Sequence, residues 1–122
     1  MTRTEILQKT REILADEKHW TQKAFVITKF NEGKPFFVCC LMGAMNMAIA
    51  DSYALSAKGH QEAQVILLNI IKKKYVKGYA SLIPFNDDEE RTHLDIIELL
   101  DEGIVKSLAM NHDEAAKENH NV

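Results

Sequence analysis

Polar and apolar positions change period several times along this chain. From about Thr4 to Lys18, the residues Ile6, Thr10, Ile13, Leu14 and Glu17 recur at helical spacing on one narrow stripe. This predicts a surface helix with one packed face, and Thr2 ahead of Glu5 has the spacing of a capping box. Trp20 follows and is expected to tuck beneath the helix end as a core aromatic. Lys23 to Phe30 is β-rich, Asn31-Glu32-Gly33-Lys34 supplies a turn with glycine as its left-handed residue, and Phe36 to Cys39 reads as the returning strand. Two strands alone are marginally stable, so the ribbon must lie on helices.

From Pro35 to Ala50 the chain has almost no polar face, which only a segment surrounded by protein can sustain. It is shorter than the ~20 residues that cross a bilayer, and Asn46 interrupts it. The expected central helix runs from about Leu41 to Tyr53, with Gly43 marking close approach of another backbone. A looser connection lasts from Asp51 to Gly59. A third helix spans about Gln61 to Lys74, where Ala63, Ile66, Leu67, Ile70 and Ile71 form the main stripe and Val65 and Leu68 widen it. So wide a face calls for two packing partners, the domain core plus a further element or a second subunit. The last helix is expected from Asp88 to about Met110, started by Asp87 with Glu90 and buried through Leu94, Ile97, Leu100, Ile104 and Leu108. The fold class is therefore α+β, mostly α: about four helices with one two-stranded hairpin packed on them. Residues 1–110 form a single domain and 111–122 a polar, flexible tail.

Composition narrows the function classes. The 122 residues carry a net charge of −3, which argues against a general nucleic-acid binder. The two cysteines, Cys39 and Cys40, are adjacent and offer neither a disulfide framework nor metal-ligand spacing. They fit reduced thiols packed as small hydrophobes, which with the polar N-terminus points to the cytoplasm. His19, His60, His93, His112 and His120 include no i, i+4 pair, and no phosphate loop or dinucleotide fingerprint occurs; no metal, cofactor or membrane association is expected.

One enzymatic constellation is present in parts. Cys40 sits where a strand gives way to a helix, a place that lowers a thiol pKa. His93 could serve as its base and Asp87 as orienter, the parts of a thiol-dependent hydrolase or transferase. Against it, a double cysteine in an apolar setting raises the thiol pKa, and no catalytic signature surrounds it. Lys72, Lys73, Lys74 and Lys77, with Tyr75 and Tyr79 near them, offer a weaker anion-binding alternative, set against cations simply favoured at a helix C-terminus. Glu90, Asp95, Glu98 and Glu102 on the last helix form a solvated face or a surface for a basic partner.

Several landmarks recur together: Ile13-Leu14 then Trp20, Cys39-Cys40-Leu41-Met42-Gly43-Ala44, and Phe85-Asn86-Asp87 with Arg91-Thr92, Ile96-Ile97 and Leu100-Asp101. Over roughly Ile6 to Gly103 this resembles a family of small bacterial and phage domains of unknown function. That family has a Trp before a short β-ribbon, a Cys-x-x-Gly-Ala helix start and a Trp-Asn-Asp motif capping the last helix. Here Thr21-Gln22-Lys23 follows Trp20 where the family tends to place a glycine, and Phe85 replaces the second Trp. The resemblance implies a compact helical domain in which Cys40, Gly43, Ala44, Asn86 and Asp87 meet. It implies architectural roles: Asp87 capping a helix, Asn86 fixing a turn, Gly43 letting two helices touch. With no complete catalytic set, the expectation is a non-enzymatic protein that binds another macromolecule, an accessory protein of a phage or mobile element or an inhibitor of a host system. The partner is expected to be a protein, and the helix over 61–75 offers a homodimer face.

Overall fold

A computed structural model describes the backbone of residues 1–120 and the side chains of residues 1–118. Its elements run α1 (Arg3–Ile13), β1 (Val26–Asn31), β2 (Lys34–Cys39), α2 (Leu41–Ala48), α3 (Tyr53–Lys74), α4 (Leu82–Asp87) and α5 (His93–His120). Short 3-10 turns lie at Glu17–His19 and Ala50–Ser52. The fold is α+β and mostly α, as its periodicities predict, and α2 is buried after the hairpin. No helix among the described residues is long and apolar enough to cross a membrane.

The capping box forms as its spacing predicts: the Thr2 hydroxyl accepts from the Glu5 amide while the Glu5 carboxylate accepts from the Thr2 amide. The helix it starts packs on three others, α2, α3 and α5, which a surface helix would not do. Its buried face is wider than the expected stripe because Thr4 and Leu7 join Ile6 and Thr10, with both threonine hydroxyls satisfied, while Glu17, placed on the stripe, lies beyond the helix and is exposed. Thr10 Oγ1 donates to the Ile6 carbonyl, and Thr4 shares a hydrogen bond with Ser107 of α5. Around α1 the core is built from Ile6, Leu7, Leu41, Met45, Leu67, Phe85, Ile96 and Leu100.

Five helix boundaries differ from the sequence expectation, the first being α1, which stops at Ile13 rather than about Lys18. The helix after the hairpin stops at Ala48, and α3 begins at Tyr53 rather than Gln61, so the expected loose connection is helical. Gly59 lies inside this helix because only a glycine fits there: a Cβ would stand 2.7 Å from the Met1 carbonyl oxygen and 3.1 Å from the Arg3 nitrogen. The glycine lets the start of α1 cross α3, and the packing offsets its helical cost of about 1 kcal/mol. At the other end, α4 is an additional short helix, and α5 starts at His93 instead of Asp88. Thr92 caps it, exchanging hydrogen bonds with Asp95, while Asp88 is extended at ψ 132° and its carboxylate accepts from the Glu90 amide. The buried face of α5 shifts accordingly to Ile96, Ile97, Leu99 and Leu100, leaving Leu94 62% and Leu108 50% exposed. Finally, α5 continues to His120 where a polar tail is expected, tied down by Arg3, which donates to Asn111 and Glu114. Residues 121–122 of that expected tail lie outside the described residues.

The hairpin closes with a two-residue turn in which Glu32 and Gly33 both have positive φ, 51° and 79°, the geometry that matches strand twist. Its register pairs Val26 with Cys39, Thr28 with Phe37 and Phe30 with Pro35. Only its base is covered. Val38 and Cys39 are buried, Cys39 bridges to Trp20, and His19 sits edge-on to Phe36. All of β1 is exposed.

Candidate functional site

The family landmarks converge on one buried side chain, Asn86 of α4. Its Oδ1 accepts from Trp20 Nε1 at 2.8 Å and from the Leu41 amide at 3.0 Å, the first turn of α2. Its Nδ2 donates to the Thr21 carbonyl at 3.1 Å and to Asp87 Oδ1 at 3.0 Å. Gln22 Nε2 adds bonds to the carbonyls of Asn86 and Asp88. Asn86 thus joins the loop after α1, the start of α2 and the end of α4, a larger role than fixing one turn. Asp87 accepts from the Lys23 amide at 2.8 Å and caps no helix. That bond holds Lys23 at φ 64°, so the chain takes a left-handed conformation in the segment where the resembling family tends to carry a glycine.

Gly43 admits a strand rather than a helix: a Cβ there would lie 1.8 Å from the Phe25 carbonyl oxygen at the entry to the hairpin. The same carbonyl accepts from the Cys40 amide. Ala44 is fully buried beside it. Phe85, in place of an indole, is fully buried beneath Tyr75 and Tyr79 at centroid distances of 5.0 and 5.3 Å. The Arg91 guanidinium stacks 3.8 Å from the Phe85 ring, donates to the Phe85 carbonyl and to Tyr79 Oη, and is 8% exposed. Periodicity gives no sign of this buried cation, since its partners arrive from three separate stretches.

The three residues of the enzymatic constellation are each committed elsewhere. Cys40 is the N-cap of α2, its sulfur accepting from the Gly43 amide at 3.3 Å. Burial pushes its thiol up; the Gly43 and Met42 amides oppose this and the Asp87 charge adds to it, leaving the thiol above its ordinary value. Cys39 is raised likewise, by burial and then by its neighbour. His93 Nε2 lies 2.6 Å from the Leu14 carbonyl oxygen, its ring tilted against Trp20. Among the described residues no hydrogen bond joins Cys40, His93 and Asp87.

The lysine cluster disperses. Lys77 pairs with Asp88 at 3.0 Å, and Lys74 pairs with Glu98 and Glu102 of α5. Lys73, together with Lys74, lines a groove of about 810 Å³ between α3 and α5, and Lys72 is exposed outside it. Its floor is Val65, Ile66, Ile70 and Met110, and Lys58, Lys73 and Lys106 stand along it without an acidic partner among the described residues. Of the two residues that widen helix three beyond its main stripe, Val65 is 50% exposed here and Leu68 packs against the core. A shallower shelf formed by Ile70, Val105 and Ala109 continues the apolar surface over α5. Five cationic side chains and two carboxylates line the groove, the reverse of the chain's overall sign.

No curated protein and no solved structure matches the chain. One family model does, over residues 1–106, a span that takes in Trp20, Cys40, Gly43, Asn86 and Asp87 but ends before the last turns of α5. The chain belongs to that family, described as a family of unknown function (DUF6197).

Proposed function

We propose that this domain is a non-enzymatic protein-binding module that seats an acidic, amphipathic helix of its partner in the groove between α3 and α5. The carrying observation is the groove itself: an apolar floor between two packed helices, with Lys58, Lys73 and Lys106 unpaired among the described residues. A cleft bounded by two helices has the shape that a third helix fills, through side chains at i, i+3, i+4 and i+7. Each rim lysine contributes a few tenths of a kcal/mol to about 1 kcal/mol, so the apolar floor supplies most of the affinity and the charges set which helix is accepted. Engagement of Cys40 by Gly43 and of His93 by Leu14 supports the non-enzymatic reading. In this account the protein works in the cytoplasm, where its two free cysteines stay reduced. The phage and mobile-element setting of the resembling family makes a host protein the expected partner, and inhibition the expected outcome.

The test is a fluorescence-anisotropy titration with two designed helical peptides that share one leucine face and are flanked by either glutamate or lysine. The glutamate peptide binds with an affinity that falls as salt rises, the lysine peptide binds at least about tenfold more weakly, and reversing Lys58, Lys73 and Lys106 to Glu exchanges the preference. Equal binding of both peptides, or of neither, refutes the proposal.

A further inference from the structure

The hairpin carries an inference independent of the groove. Cross-strand partners alternate between pairs that exchange hydrogen bonds and pairs that do not. The Cys40 amide donates to the Phe25 carbonyl, which makes Phe25, Ile27, Lys29 and Asn31 the residues bonded inward to β2. Val26, Thr28 and Phe30 therefore turn their N–H and C=O groups outward. On the opposite edge, β2 is closed: Pro35 has no N–H, the Phe37 carbonyl pairs with His19 Nδ1 at 2.8 Å, and the Cys39 carbonyl accepts from the Thr21 amide at 2.9 Å. The outer edge of β1 has no such cover among the described residues. Phe30 on it and Phe25 at its start are 69% and 54% exposed, and Phe37 of β2, across from Thr28, is 56% exposed. A free edge of this kind, long for its ribbon and rich in aromatics, is a template for another strand.

We infer that the strand is β1 of a second copy, the two pairing antiparallel about Thr28 to make a four-stranded sheet. The sequence is self-complementary in that register. Thr28 faces Thr28 of the other copy, Val26 faces Phe30, and Lys29 faces Ile27, so no like charges oppose and every outward backbone group finds a partner. The phenylalanines alone expose about 350 Å² per copy at roughly 200 Å² a ring. Edge pairing covers only the flanks of these side chains and the strand backbone, so the interface falls below about 600 Å² per partner, in the class of weak, reversible association, and the expected dissociation constant is on the order of tens of micromolar.

Thr28→Pro tests this directly, because it deletes an outward N–H and leaves the ladder to β2 intact. Sedimentation velocity across a concentration series shows a reversible dimer for the natural chain, and Thr28→Pro weakens it at least about tenfold with an unchanged melting temperature. Should Thr28→Pro disturb the fold, Val26→Lys and Phe30→Glu provide a second arm: each dimerises poorly alone, and mixing them restores a heterodimer. A natural chain that stays monomeric up to about 300 µM overturns the inference, being far above the expected constant. So does a dimer that resists all these changes, which assigns self-association to another face such as the helix over 61–75.

Discussion

Asn86 shows how one short polar side chain can organise a domain. Every polar atom of its amide is engaged while the residue is fully buried, so it is costly to remove rather than merely useful to keep. Asn86→Ala strands the Trp20 indole N–H and the Leu41 amide in the interior, and we expect a loss of about 3 kcal/mol in urea unfolding. Because Trp20 is the sole tryptophan, its emission reports both the unfolding and any native-state loosening at this point. His60 makes a second residue-scale prediction. Its Nδ1 pairs with Gln64 while its Nε2 is buried without a partner, and burial holds its pKa below the ordinary 6.5. Above pH 6.5 the ring is neutral in both folded and unfolded chains and contributes nothing. Below it the unfolded chain takes a proton that the folded chain resists, so stability falls as pH drops from 6.5 toward 5. His60→Gln should flatten the melting temperature across that window. Asp88, held low by Tyr79, the Glu90 amide and Lys77, acts in a separate window below about pH 4.

At the scale of elements, local signals were legible and crossings were not. The capping box at Thr2, the turn at Glu32-Gly33 and the apolar run into α2 each depend on neighbours in sequence, and each lies where its pattern predicts. Gly59 and Ser56 look like helix breakers until the start of α1 is laid across them, and only that crossing makes α3 continuous. Pro84 inside a six-residue stretch hides α4, although proline near a helix start costs little. The meeting of Cys40, Gly43, Ala44, Asn86 and Asp87 was legible only through family resemblance, since no periodicity relates residues so far apart, and the bond from Trp20 to Asn86 was not legible even there. That a backbone approaches Gly43 was legible from the glycine; that it is Phe25 at the hairpin entry rather than a helix was not. Gly43→Ala should cost about 3 kcal/mol, because the added carbon collides with backbone rather than with a side chain that can yield. Amide exchange should show lost protection at Cys40, whose N–H donates to the same Phe25 carbonyl.

For the whole molecule, the chemistry-bearing residues turn inward, and the binding proposal rests on what the surface carries. The cysteines and the Asn86 cluster join the core to the hairpin and the loop after α1, and His93 joins α5 to the end of α1, while cations unpaired among the described residues and exposed apolar side chains gather along α3, α5 and β1. The acidic face of the last helix, a candidate surface in sequence, is partly consumed within the molecule: Glu98 and Glu102 pair with Lys74, and Asp95 caps α5 beside Arg91. The most direct test of the binding account is a nitrogen-15 amide titration of the full chain with the glutamate-flanked helical peptide. The account predicts shifts confined to residues 58–74 of α3 and 102–110 of α5, with the Trp20 indole and the Cys40–Gly43 amides unmoved. Shifts centred on Trp20, Cys40 and Asn86, or none at saturating peptide, would contradict it.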